Sequence, residues 1–313
     1  MKIAIGLLQA AILILGAPLV RGVIGKIKAW IQRRKGASIW RPYADLAKLF
    51  RKEDLRPPSA SWVFRAAPVL LFATTVCVTA FVPVLQPSAL LASWGDFFLL
   101  VYLLALGRFF LSLGAMDGGS AFGGMGASRE ALVSSLAEAP FLLALVAVAI
   151  SAAHTNIAGI VAWTLRRNFF DVSAVHILAF TSLAMVMLAE TGRMPVDNPS
   201  THLELTMIHE GMVLEYSGPS LAWIEWASAI KLQAVLALLI ALFAPWGMAS
   251  SLSAGSIAAA LVLYFAKAAA LIVLLTVVES GVAKLRMYLV PDYLGVASAI
   301  SALAVIFTGL TKR

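Results

Sequence analysis

Cysteine, histidine and charge are all scarce in this sequence. Among 313 residues there is one cysteine, Cys77, inside an apolar run, and there are four histidines. Thiolate zinc sites and iron–sulfur clusters need several cysteines, so the chain carries neither, and no internal disulfide can form. The four histidines are too scattered for a haem protein. Charged residues make up 13% of the chain, about half the share found in soluble domains. Hydrophobic residues make up 61%, and the mean hydropathy is +0.91. A soluble enzyme is excluded. Crossing a bilayer takes about 20 apolar residues, so the length holds up to about ten spans and leaves no room for a separate catalytic domain of ordinary size.

The apolar runs predict eight spans, at 3–24, 66–86, 97–116, 131–153, 173–190, 229–249, 255–280 and 288–311. Lys2 precedes the first span as it would in a signal peptide. The length of that span, and the basic loop after it in place of a small-residue cleavage site, favour a retained helix. Eleven of the 24 Lys and Arg residues fall between the first two spans, from Lys26 to Arg65. The positive-inside rule makes that loop cytoplasmic. With an even number of spans, both termini are expected on the other side, whose loops carry little positive charge beyond Arg166 and Arg167. The net charge of +8 is therefore a topology signal. Too few aromatics interleave the basic residues for a nucleic-acid surface. Within the basic loop, Leu46, Ala47, Leu49 and Phe50 share one side of a short helix suited to lie along the membrane.

Ionisable groups within spans are functional candidates because a bilayer makes them costly. Arg108, Glu138, Glu190, Lys267 and Glu279 are such groups. Asp197, Glu204, Glu210, Glu215 and Glu225 crowd the segment 191–228, so that with Glu138, Glu190 and Glu279 they make half of the 16 acidic residues. Asn198 and Pro199 form a helix start of N-cap followed by Pro, predicting a helix over about 199–215. On it, Asp197, Glu204 and Glu215 return to nearly one face. Shielded carboxylates in a row have raised pKa values and can relay protons near neutral pH. The alternative is an acidic face paired with the basic loop, which suits Glu210 and Glu225 at least equally. For Lys267 the competitor is a buried ion pair between helices. Ser134 lies one turn before Glu138, where a hydroxyl could orient the carboxylate.

Sharper motifs fail. His209-Glu210 opens like a helical zinc-protease motif, but Val213 stands where the second ligand belongs. His202 and His209 alone are a weak metal pair. The glycine-rich run 118–126 follows no strand and ends in no Gly-Lys-Ser/Thr, so it reads as a flexible or tightly packed turn.

Three ordered motifs carry a family likeness. The run Glu190-Thr191-Gly192-Arg193-Met194-Pro195-Val196-Asp197-Asn198-Pro199 resembles the E-T-N-R-x-P-F-D-x-P signature of the H subunit of respiratory complex I, departing at Gly192 and Val196. Arg129, with Glu138 nine residues on, is similar to that family's segment at the mouth of the fourth span. Gln32 to Gly36 followed by Arg41 to Glu53 resembles its Q-x-R-x-G-P-N…Q-P-x-A-D-x-x-K-L-x-x-K-E stretch, with Ala37-Ser38 in place of Pro-Asn. The stretch from Asn198 to Gly218 is longer before Glu215-Tyr216-Ser217-Gly218 than in complex I. Its two histidines are also unexpected there. It looks like the version in group 4 membrane-bound nickel–iron hydrogenases, formate hydrogenlyase among them.

The resemblance implies an all-α polytopic membrane subunit, a single integral domain over 1–313 in the prokaryotic cytoplasmic membrane. Its cytoplasmic loops at about 25–65, 117–130, 191–228 and 281–288 would form a docking face that carries short amphipathic helices. A protein of this kind contains no catalytic centre or cofactor of its own. Nickel–iron and iron–sulfur centres would lie in partners: the soluble hydrogenase large and small subunits and an iron–sulfur subunit, beside an antiporter-like membrane subunit. Carried over by position, Arg33, Arg34, Asp45, Arg129, Arg193 and Asp197 belong to the docking surface. Glu138, Glu190, Glu204 and Glu215 belong to an acidic path into the membrane, to which Lys267 and Glu279 are added from their place within a span. The alternatives are a quinone-site protein of the complex I type, a stand-alone transporter, for which no inverted repeat is visible, and a purely structural anchor.

Overall fold

The computed structural model describes residues 2–167, 173–198, 207–249, 251 and 253–311. These form eleven α-helices, with two single-turn 3-10 helices at Ala92–Trp94 and Met287–Leu289: α1 (Lys2–Ile31), α2 (Arg41–Phe50), α3 (Trp62–Thr79), α4 (Phe97–Asp117), α5 (Ala121–Ala152), α6 (Ile157–Leu165), α7 (Ala174–Glu190), α8 (His209–Val213), α9 (Gly218–Phe243), α10 (Ala254–Gly281) and α11 (Val290–Thr311). Seven of them are long and apolar enough to cross a membrane, and α7, with 17 residues, is a shorter apolar helix. The chain is an all-α, multi-pass membrane protein.

Helix starts follow ordinary capping chemistry, in which a short polar side chain accepts from a free backbone N–H. Asp96 accepts from Phe98 N at 2.9 Å and Ser120 from Gly123 N at 3.1 Å. The Ser120 cap starts α5 ten residues before the span expected at 131. The glycine run is therefore mostly helix, not turn, and the expected loop 117–130 shrinks to its first few residues. Likewise α9 starts at Gly218, eleven residues before 229, and α1 runs on to Ile31. Hydropathy marks where hydrocarbon contact ends, whereas backbone hydrogen bonding carries these helices past it. The helix expected over 199–215 falls partly outside the described residues, and within them only His209–Val213 is helical.

Helix α9 is the most enclosed of the long helices and packs on α1, α3, α6, α7 and α10. Helices α3 and α4 pair on one flank, and α5, α7 and α11 pack together on another. Small residues permit close approach: a Cβ on Gly114 of α4 would stand 2.8 Å from Ala67 Cβ on α3. Outward faces of α10 and α11 expose Val262, Phe265, Val273, Ile306 and Phe307, as a bilayer permits.

The loop residues 32–61, 118–120, 191–198, 207–217 and 282–289 interlock on one face, which bears the basic loop. Ser217 Oγ donates to Leu55 O at 3.0 Å and accepts from Leu55 N at 2.8 Å. Asp117 accepts from Ser61 N and Phe64 N at 2.8 and 3.1 Å, and Leu285 N donates to Pro195 O at 2.8 Å. On that face α2 lies across α1 and α9, with Phe50 edge-on to Trp223 at 5.1 Å. The opposite face is closed by Gln9, whose Oε1 accepts from Val84 N and Leu85 N, and by Ile157 N donating to Gly95 O.

Candidate functional site

The charged residues of the run 190–197 are all buried, and each meets an opposite charge from another element. Glu190 ends α7 at 4% exposure. One carboxylate oxygen takes Arg108 of α4, and the other lies 3.2 Å from Lys231 Nζ of α9. Three helices thus converge on one carboxylate, flanked by a small cavity of about 40 Å³ that Glu130 and His209 also line. After Glu190 the chain reverses at Gly192, whose φ of +58° lies in the left-handed region that favours glycine. Arg193 N then caps α7 by donating to Leu188 O at 2.8 Å, a C-terminal closure of the usual helix type.

That reversal aims Arg193 at α10. Its Nη1 donates to Glu279 Oε1 at 2.9 Å, while Lys28 of α1 approaches the other oxygen at 2.7 Å. Burial pushes the Arg193 guanidinium below its ordinary pKa and Glu279 opposes the shift. The arrangement repeats that at Glu190, with one buried carboxylate between two cations. A polar cavity of about 370 Å³ opens beside it, lined by Lys28, Gln32, Arg34, Met194, Asn198 and Glu279. Asp197 accepts from Lys284 Nζ at 2.6 Å, from its neighbour Asn198 N at 2.8 Å and from His209 N at 3.2 Å, fixing α8 to the loop before α11. On the flank, Arg21 of α1 pairs with Glu225 of α9 and donates to Ser228 Oγ at 3.0 Å.

The other expected residues fall in different places. Arg33, Arg34 and Asp45 are exposed on the basic face, where Asp45 lies 3.5 Å from Arg41. Arg129 donates to Met207 O at 2.9 Å and so ties α5 to the segment before α8. Glu215 is half-buried near Gly118. Glu138 is half-buried on α5 and makes no ion pair among the described residues. Ser134, which the spacing offered as its orienting hydroxyl, donates instead to Ala131 O. Glu204 and His202 lie outside the described residues. Lys267 is not with the carboxylates. It sits 12 residues from Glu279, about 18 Å along α10, and donates to Ala244 O and Trp246 O past the end of α9.

Sequence reasoning missed Lys231, Lys28, Arg21 and Lys284. Lys231 carried a usable clue, a cation two residues inside an apolar run, the same criterion that picked out Glu190. Glu225 answers Arg21, not the basic loop, so its pairing partner differs from the one the sequence suggested. Among the described residues, no three His, Cys, Asp or Glu side chains gather as a metal site needs.

The family described as NADH dehydrogenase matches residues 3–309. Hydrogenase-4 component C of Escherichia coli K12 is 33% identical over 306 residues, covering 97% of this chain and 96% of that protein. Formate hydrogenlyase subunit 4 of the same strain is 31% identical over 291 residues, 93% of this chain and 94% of that one. The H subunit of the NADH-quinone oxidoreductase of Rubrobacter xylanophilus is 30% identical over 224 residues, 67% of this chain and 66% of its own length. Among solved structures, a chain of the membrane-bound sulfane sulfur reductase, an archaeal respiratory membrane complex, superposes with a TM-score of 0.86. It covers 98% of this chain and 100% of that one at 22% identity, a likeness of fold.

Proposed function

The chain belongs to the NADH dehydrogenase family, and from that premise we propose that it is the membrane anchor subunit of an energy-converting hydrogenase of the formate hydrogenlyase kind. It docks the soluble nickel–iron and iron–sulfur subunits and an antiporter-like membrane subunit, and links their electron transfer to movement of protons or sodium ions. The redox centres reside in those partners. In this reading the basic face is cytoplasmic, both chain ends lie on the other side, and Arg33, Arg34 and Asp45 meet the arm.

One observation carries the proposal: every charge in the run from Glu190 to Asp197 is buried in a cross-element ion pair. Buried pairs are a poor way to gain stability, because desolvation offsets most of the Coulomb attraction. They are a good way to make a charge change felt at a distance, since a buried charge is weakly screened. Glu190 and Glu279 each balance two cations, so each cluster has a surplus positive charge that a nearby carboxylate, or the loss of a proton, can offset. A charge arriving at the docked arm biases Asp197 and Arg193 first, then Glu279 and Glu190, with Glu204, Glu215 and Glu138 as further carriers of the acidic path.

Near-complete coverage of the hydrogenase and formate hydrogenlyase relatives, against about two thirds for the quinone oxidoreductase one, favours this reading over a quinone-site protein. The test is mild-detergent purification from the native membrane, with identification of what accompanies the chain and assays for nickel and hydrogen evolution. Nickel with a hydrogenase large subunit is expected. Flavin and quinone reduction without nickel would assign the chain to the complex I branch, and recovery of this chain alone would undo the docking assignment.

A further inference from the structure

Three cations stand apart from every cluster above: Arg166, Arg167 and Lys267, at or toward the face opposite the basic loop. Arg166 and Arg167 are exposed at the end of α6, on loops otherwise poor in positive charge. The Arg167 guanidinium stacks 4.2 Å above the Trp163 ring and makes no ion pair among the described residues, while its carbonyl accepts from Trp246 Nε1 at 2.9 Å. Two tryptophans at one end of a helical bundle mark the headgroup level of a bilayer. Lys267 rises from within α10 to reach this level, in the manner of a snorkelling side chain. Its ammonium has three N–H donors, of which two serve Ala244 O and Trp246 O.

Beneath these groups a cavity of about 380 Å³ opens between α6, α7, α9 and α10. Arg167, His176 and Lys267 line it among apolar walls. His176 is 7% exposed, and its Nε2 is buried with no hydrogen-bond partner among the described residues. A second cavity, about 480 Å³ and almost wholly apolar, continues from it through the shared lining residues Phe180, Leu239 and Leu271 toward Val282 and Leu285. From Lys267 to Val282 the groove follows α10 for about 22 Å, more than the roughly 15 Å of one leaflet's hydrocarbon. We propose that this groove holds an anionic phospholipid, its phosphate against Arg167 and Lys267 and an acyl chain along α9 and α10. The cationic rim selects the headgroup charge, and the apolar floor takes the chain. The site is independent of the docking and coupling reading.

The test places the full-length chain in nanodiscs of mixed phosphatidylglycerol and phosphatidylcholine and counts retained lipid by native mass spectrometry after release. The wild-type chain is expected to keep phosphatidylglycerol preferentially. Arg167→Gln, a change at an exposed side chain, should lower that preference roughly fivefold. Ala270→Trp, on the exposed side of α10 and lining the upper cavity, should abolish retention of both lipids. An unchanged preference in Arg167→Gln, equal retention of the two lipids by the wild type, or undiminished retention in Ala270→Trp would each overturn the proposal.

Discussion

Glu190 and Glu279 share a design in which one carboxylate bonds two cations from two other elements. Removing the anion therefore costs far more than removing either cation. Glu190→Gln leaves Arg108 and Lys231 side by side without the carboxylate they contact, with Glu130 across the small cavity as the remaining acid, and an uncompensated buried charge costs about 3–5 kcal/mol. Lys231→Met leaves a neutral Arg108–Glu190 pair and should cost less than half as much. Thermal unfolding of the purified variants checks the order, and a Lys231→Met chain less stable than Glu190→Gln would contradict the assignment of Glu190 as the shared anion. Glu190, Arg193, Asp197 and Glu279 were legible in the sequence because charge in or beside apolar runs is conspicuous. Their partners were not. Lys231 meets Glu190 only because α7 and α9 pack antiparallel, a tertiary fact that spacing along one helix does not encode. Lys267 misled for the same reason: a lysine within a span reads alike whether it faces a carboxylate or caps a neighbouring helix.

At the scale of elements, the glycine run shows what local reading can and cannot do. Absence of a strand and of a Gly-Lys-Ser/Thr ending argues against a nucleotide loop, and a tightly packed turn was one of the two uses foreseen. The run is helical, however, because Ser120 caps α5 and α8 comes close against it. A Cβ at Gly126 would stand 2.9 Å from Met212 N and 3.0 Å from Ile208 O, both backbone atoms. Gly126→Ala should therefore destabilise the chain by about 1–3 kcal/mol, seen as a lower Tm. Gly124 has no atom within 4 Å of such a Cβ, so Gly124→Ala should hold or raise the Tm by the usual helix preference of alanine over glycine. Equal effects at both positions would mean that α8 does not pack on α5 as described. Seven of the eight spans expected from hydropathy are helices long and apolar enough to cross, and the span expected at 173–190 is the shorter α7, whereas α1, α5 and α9 run past the apolar windows because polar residues such as Arg129 and Glu225 remain helical where tertiary partners receive them.

For the whole molecule, the loops of the basic face and the two carboxylate-centred clusters form one connected body, tied by Arg193 to α10, by Asp197 to Lys284 and by Ser217 to Leu55. The basic loop and the described part of the acidic segment fall on one face, the face that also carries these two clusters. Within a complex, Glu138→Gln and Glu204→Gln should leave the subunits assembled while slowing or uncoupling turnover. Failure to assemble would favour a purely structural anchor, and normal coupled turnover in both would remove these two residues from the path. The most direct test is the number of protons moved per hydrogen evolved in membrane vesicles bearing Lys231→Met, compared with the wild-type chain. Coupling through the buried clusters predicts an intact complex that evolves hydrogen with a lowered proton ratio. An unchanged ratio in a fully assembled complex would contradict it.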